Sequence, residues 1–217
     1  MPPPSSLKQA GRPKDPVKRA NIVKAAVSLF GRQPYDTVTM EAVAAQAGVS
    51  KMTVYSHFTD KETLFETVVR SVADQLLSGT PEAAKGDGTL QERLTAMGRS
   101  FLTVILAPEN VAMAHALPAT LRDNQSLARR FYEAGPGRVL AELMTTLAAA
   151  VADGELAIDN IEMAANDLAS LWEGGLRIQL AFQVAGPMTP DEVAWRAQRA
   201  TALFLRAYQP TGARHPR

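Results

Sequence analysis

Apolar side chains recur every three or four residues along most of the chain, the spacing of one helical face. Ile22, Ala26, Leu29 and Phe30 form the first such stripe, closed by Gly31 and Pro34. Val43, Ala44 and Ala47 form a short second one, and Val54 with Phe58 a short third. Longer stripes follow: Leu64, Val68, Val72 and Leu76, then Leu90, Leu94, Met97, Phe101 and Ile105, then Val139, Leu143, Leu147 and Val151. Leu168, Leu171, Gly175, Ile178 and Phe182 line one late helix, and Val193, Ala197, Ala200, Phe204 and Ala207 the last. No segment alternates with the two-residue period of a strand, and no internal repeat is visible. The pattern predicts an all-α fold of about nine helices.

Start and stop signals divide these stripes. Asp15-Pro16 is an N-cap followed by proline at the first helical position. Thr39 and Ser50 are placed to cap two short helices separated by Gly48. Thr59/Glu62, Thr89/Glu92, Asp159/Glu162 and Thr189/Glu192 have capping-box spacing. Pro108 and Asn124 open two more helices. Pro136, inside "GPG", lacks a backbone donor and predicts a kink or break. The late stripe from Asp159 reads as one long helix to about Ala185. The resulting organisation is a disordered basic arm (1–14), a small helical domain with its linking helix (15–78), a loop (79–88), a larger helical domain (89–208) and a tail (209–217).

Charge sharpens the division. Residues 1–61 carry nine Lys/Arg against four Asp/Glu, and the remainder 14 against 18, so a net charge of +1 conceals a basic first quarter. A basic face attracts polyanions, although such an excess also occurs on ordinary solvated helices. Cysteine is absent, which excludes disulfides, thiolate metal sites and a cysteine nucleophile. No apolar run reaches the length of a membrane span, and the N-terminus has no apolar signal-peptide core. A cytoplasmic protein without membrane association is expected. The three histidines, at 57, 115 and 215, have no metal-ligand spacing. Phosphate loops, dinucleotide fingerprints and nucleophile elbows are missing too. No catalytic residue, metal or cofactor is assigned.

The densest chemistry lies in "AGVSKMTVYSHFTDKETL", residues 47–64. Two short helices joined at a glycine form a helix-turn-helix. Ala44 is small enough for a close crossing, Gly48 supplies a positive φ, and Val43, Val49 and Val54 seal the interior. Lys51, Met52, Thr53, Ser56 and His57 are left facing outward, a set suited to base edges, thymine methyls and phosphates. Tyr55 fits either the core or a backbone contact. His57 fits either a backbone contact or a helix C-terminus favoured by the dipole. Asp60, at a helix start, has a dipole reason to be there without any catalytic role.

Residues 38–65, "VTMEAVAAQAGVSKMTVYSHFTDKETLF", with "RANIVKAAVSLF" at 19–30, resemble the tetracycline-repressor (TetR/AcrR) family of bacterial regulators. The resemblance covers roughly residues 15–77. It implies that Thr39 and Ser50 contact phosphate and that Lys51, Met52 and Thr53 face the major groove. It further implies that Tyr55 and His57 hold the DNA backbone and that Lys61 grips another phosphate. Met52 departs from the small residue usual at that position, and either reads a thymine methyl or packs.

The stretch "HALPATLRDNQSLARRFYEAGPGRVLAEL" at 115–143 resembles the AefR-like subclass of the family's C-terminal domains. The family likeness implies a homodimer that binds a double-stranded, palindromic DNA operator and responds, as a repressor, to a small apolar or amphipathic effector. Candidates for the effector pocket are Phe101, Met113, His115, Phe131, Met144, Trp172 and Arg177. Candidates for the dimer interface are Leu168, Leu171, Gly175, Ile178, Phe182, Val193, Ala197, Ala200 and Phe204, which would make a four-helix contact unless these stripes face only their own core. The alternatives are an effector-independent activator or architectural DNA-binding protein, and an all-α enzyme whose helix-turn-helix is a structural corner.

Overall fold

The computed structural model describes residues 15–78, 88–122, 124–182, 184, 186 and 188–210, apart from the side chains of 115–120, 177 and 181. The expected basic arm with Lys8, Arg12 and Lys14, the linker at 79–87 and the tail beyond 210 lie outside the described residues.

Among the described residues the chain is all-α, with no strand. The helices are α1 (Pro16–Phe30), α2 (Met40–Ala47), α3 (Lys51–His57), α4 (Lys61–Ser78), α5 (Leu90–Ile105) and α6 (Pro108–Leu121). They continue as α7 (Gln125–Ala134), α8 (Pro136–Ala152), α9 (Ile161–Glu173), α10 (Leu176–Ala181) and α11 (Pro190–Ala207), with one 3-10 turn at Tyr35–Thr37. The nine expected helical stretches all form, and two of them are divided.

The first division falls where proline predicts it, with Gly135 between α7 and α8 and Pro136 at the first position of α8. The glycine is needed for space: a Cβ there would lie 2.6 Å from Val69 Cγ1 on α4. The second division corrects the single long helix. Gly174 adopts φ +53, ends α9, and starts α10 two residues later. The side chain of Arg196, from α11, holds this break open by donating to the carbonyls of Trp172 (2.8 Å) and Glu173 (2.7 Å). A Cβ on Gly174 would run into that guanidinium.

Most helix starts follow their sequence signals. Asp15 Oδ1 accepts from Val17 N at 2.9 Å, and both Thr89/Glu92 and Thr189/Glu192 close full capping boxes. Two starts differ. Helix α4 starts at Lys61, so Asp60 rather than Thr59 caps it, its Oδ1 accepting from Thr63 N at 2.7 Å, and the Glu62 carboxylate pairs with Arg130 at 2.8 Å. Asn160, rather than Asp159, caps α9 by accepting from Met163 N at 2.9 Å.

Burial collects in two clusters. The first joins Ile22, Phe30, Tyr35, Val43, Val54, Phe58, Leu64 and Phe65 to Met113, Leu127 and Ala134 of α6 and α7. Its centre is aromatic: Phe65 meets Phe30 and Tyr35 edge-on at 5.0 Å each and stacks on Phe131 at 6.1 Å. The second packs α5, α8, α9 and α11 around Leu94, Leu102, Leu147, Leu168, Trp172 and Phe204.

This second core takes up part of the expected dimer stripe. Leu168, Val193, Ala197, Ala200 and Phe204 are buried inside their own protomer. Each large apolar side chain so buried is worth roughly 1.5–3 kcal/mol to the fold. The exposed residues of the same stretch are Leu171, Gly175, Ile178 and Phe182, with Val184 and Trp195 beside them in exposure if not in the expected set. The stripe drawn along the late helices is real, but most of it is the inner face.

Candidate nucleic-acid interface and adjoining cavity

The helix-turn-helix is built from the turn outward. Gly48 sits at φ 66, ψ 32 in the left-handed region and ends α2. Nothing lies within 4 Å of a Cβ built there, so glycine is required for its φ alone. Val49 N then reaches back to Ala44 O at 3.0 Å. Thr39 Oγ1 caps α2 through Ala42 N at 3.1 Å, and Ser50 Oγ caps α3 through Thr53 N at 3.1 Å. Val54 and Phe58 turn inward and are buried, which fixes the opposite face of α3 outward.

That outer face carries the expected residues. Met52 is 78% exposed, so in the free chain it packs on nothing. Tyr55 is also exposed, at 42%, which removes the reading of a core aromatic. Lys51 forms an ion pair with Glu41 of α2 and lies 5.7 Å from the Tyr55 ring. Its hydrogen bond is the main reason the Glu41 carboxyl is held below its usual range. Thr53 Oγ1 shares a 2.9 Å hydrogen bond with Ser50 Oγ. His57 is half-buried, and its Nδ1 is enclosed with no partner among the described residues.

Lys61 behaves differently from a free surface cation. Its Nζ donates to the carbonyls of Tyr35 (3.0 Å) and Asp36 (3.4 Å) and lies 4.3 Å from the Tyr35 ring centroid. An ammonium has three donors, so one remains for a phosphate. Tyr35 itself is pushed up to about 12, by burial first and then by the nearby Glu62 carboxylate. Lys61 therefore ties the start of α4 to the turn that precedes α2.

Helix α4 links this unit to a second site. Its first half buries Leu64 and Phe65 in the first core, and its second half, Val69, Val72, Ala73, Leu76 and Leu77, walls a cavity of about 1390 Å³. The 18 residues of α4 rise roughly 27 Å at 1.5 Å each. An ion-pair cluster braces its middle. Arg130 of α7 donates to Glu66 Oε2 at 3.0 and 3.2 Å and to Glu62 at 2.8 Å, while Arg70 donates to Glu66 Oε1 at 2.9 Å. The Arg130 hydrogen bonds are the first cause of the depressed Glu66 carboxyl.

Of the expected pocket residues, Phe101, Met113, Phe131 and Trp172 line this cavity. Met144 does not; it packs against the second core, because the neighbouring Thr145 and Thr146 take the cavity side of α8. The side chains of His115 and Arg177 lie outside the described residues. Sequence reasoning missed the polar wall: Asn110, Glu142, Thr145, Thr146 and Asn166 all line the cavity. The signal was available on α8, where Glu142, Thr145, Thr146, Ala149 and Asp153 recur at helical spacing beside the apolar stripe. Trp172 is pinned from three sides. Its Nε1 donates to Thr201 at 3.1 Å, Phe101 lies 5.8 Å away ring to ring, and Gly98 leaves no room for a Cβ.

Among the described residues no helix is long and apolar enough to cross a membrane, and no group of side chains could hold a metal ion.

Comparison with known proteins agrees with this architecture. Residues 22–68 match the model of "Bacterial regulatory proteins, tetR family", and residues 92–210 match "AefR-like transcriptional repressor, C-terminal domain". The HTH-type transcriptional regulator BetI of Rhizobium meliloti (strain 1021) is 37% identical over 99 residues, 45% of this chain and 49% of that protein. The HTH-type transcriptional activator FasR of Mycolicibacterium smegmatis is 32% identical over 88 residues, 41% of this chain and 40% of that protein. The matched stretch thus spans half or less of these relatives' length. Among solved structures, a putative tetR-family regulator from Mesorhizobium loti superposes with a TM-score of 0.75 at 28% identity, covering 92% of this chain and 100% of that one. The flavonoid-responsive regulator FrrA superposes with a TM-score of 0.69 at 29% identity, covering 90% and 99%.

Proposed function

This chain belongs to the tetR family of bacterial regulatory proteins, and we propose that it acts as a homodimeric transcriptional repressor released from its operator by a small apolar or amphipathic effector. The observation that carries the reading is the placement of α4, which buries one half in the helix-turn-helix core and gives the other half to the cavity. A ligand that prefers a different setting of that wall shifts the population of DNA-competent dimers, in proportion to its differential affinity for the two states. The repressor sense follows the family matched over residues 92–210.

On this reading α3 enters the major groove, with Met52 and Thr53 toward base edges and Lys51 released from Glu41 toward the DNA. Thr39, Ser50, Tyr55 and His57 flank the backbone, and Lys61 offers its remaining proton to a phosphate while it steadies the Tyr35 turn. Phe101, Met113, Phe131 and Trp172 hold the effector. Leu171, Ile178 and Phe182, joined by Trp195, meet a second copy. The protein works in the cytoplasm, without cofactor or catalysis.

Selection of bound fragments from sheared genomic DNA tests this. A near-palindromic site, bound far more tightly than random DNA, is expected. Equal affinity for every fragment would overturn the regulator reading. A second sense, activation, is favoured by the likeness to FasR, named an activator. Transcript levels from the selected promoter separate the two: they rise on gene deletion for a repressor and fall for an activator.

A further inference from the structure

The cavity is two-sided, and its polar side is richer in hydrogen-bond acceptors than in free donors. The wall from α4 is wholly apolar, whereas the polar groups collect on α8 and α9. On α8, Thr145 Oγ1 donates to Ala141 O at 3.0 Å and Thr146 Oγ1 to Glu142 O at 3.1 Å. Both hydroxyl protons are thereby directed back along the helix, leaving oxygen lone pairs for a ligand. On α9, Asn166 Nδ2 donates to Glu162 O at 2.8 Å, and on α6 Asn110 Nδ2 donates to Val104 O at 2.7 Å. Each amide keeps its carbonyl oxygen, along with its second N–H, available.

The charges repeat the pattern. Glu142 and Asp153 line the α8 side, and neither carboxylate has an ion-pair partner among the described residues. Arg93 is the described cationic side chain of the lining, and it is already engaged by Glu155 at 3.2 Å and by the Gly88 carbonyl at 2.8 Å. An anionic ligand would meet carboxylates and oxygen lone pairs with few donors to replace its lost water. A protonated amine would find acceptors, negative charge, and the Phe101 and Trp172 rings for its apolar body or its cation.

We propose that the cavity selects a cationic, hydrogen-bond-donating amphiphile, its ammonium toward the α8–α9 side and its apolar body toward α4, and discriminates against carboxylates of the same size. The inference rests on the reading of the cavity as an effector site.

Three probes of equal chain length separate the two statements: decylammonium, decanol and decanoate, all submicellar at pH 7. Binding to the full, unsubstituted chain is followed by isothermal titration calorimetry. Decylammonium should bind roughly tenfold or more tightly than decanoate, a difference of about 1.4 kcal/mol or more, with decanol between them. The double variant Glu142→Gln, Asp153→Asn should narrow that ratio several-fold while leaving decanol unchanged. If decanol binds but decanoate equals or exceeds decylammonium, the charge selection is wrong and the effector site stands. If none of the three binds, decanol included, the effector reading fails and the selection with it.

Discussion

Replacing Gly98 by alanine should destabilise this protein, although the same change in a helix interior ordinarily stabilises by about 1 kcal/mol. Gly98 lies buried on α5, against the indole of Trp172. An added Cβ would stand 2.5 Å from Nε1, 2.6 Å from Cε2 and 2.9 Å from Cδ1. All three atoms belong to one rigid ring that is 2% exposed, so the clash cannot be relieved by a flexible chain end. Overpacking of this kind costs roughly 1–3 kcal/mol. Displacing the ring also breaks its 3.1 Å hydrogen bond to Thr201 and strands a buried donor, roughly 1–3 kcal/mol more. Against the propensity gain, the balance is a loss of about 1–5 kcal/mol, or about 2–20 °C in Tm for a chain of this size. Thermal melts at matched protomer concentration, with Trp172 fluorescence, check it. A higher Tm with an unchanged emission maximum would show that α5 and α9 are not locked through this contact.

Three further outcomes follow from the same geometry. The Glu66 carboxyl is held below its usual 4.5, chiefly by the Arg130 guanidinium, so its contribution to stability is full above that value and is lost as pH falls through the lower folded value. Arg130→Met should lower stability at pH 7 and flatten the loss as pH falls below 4.5 in urea melts; an unchanged acid slope would mean the α4–α7 brace is inert. Ile178→Glu with Phe182→Glu should yield folded monomers by sedimentation, whereas Leu168→Ala should cost roughly 2–5 kcal/mol of stability; a persistent dimer in the double variant would move the interface elsewhere. Met52→Ala should change the ranking of operator variants at one base pair by about 1–3 kcal/mol, and identical rankings would remove Met52 from base readout.

How much the sequence revealed depended on whether the signal was local. Caps and turns are local: Asp15-Pro16, Thr39, Gly48, Ser50 and two of the four expected capping boxes, at Thr89 and Thr189, act within four residues and appear where their pattern places them, while the other two starts shift by one residue to Asp60 and Asn160. The inward face of the helix-turn-helix was legible for the same reason, since Val54 and Phe58 leave Met52 outside; Tyr55, which the pattern left between core and surface, is placed by the fold, at 42% exposure. The late helices were harder. An apolar stripe records that a face is covered without recording by what, and α5 covers the Val193, Ala197, Ala200 and Phe204 face that could equally have met a second copy. The α9 break was hidden because Gly174-Gly175 is also compatible with close helix packing; Arg196, some twenty residues later, decides it. Lys61 shows the same limit. Its position suits a phosphate, but its carbonyl partners on the Tyr35 turn are set by tertiary folding.

The central claim is that two copies of α3 read one operator from successive major grooves. Methylation-interference footprinting of the full chain on its selected operator tests this most directly. Two major-groove patches on one face of the duplex are predicted, with centres about one helical turn, roughly 34–36 Å, apart, and each weakened by changes at Met52 or Thr53. A single continuous footprint indifferent to α3 would contradict the account.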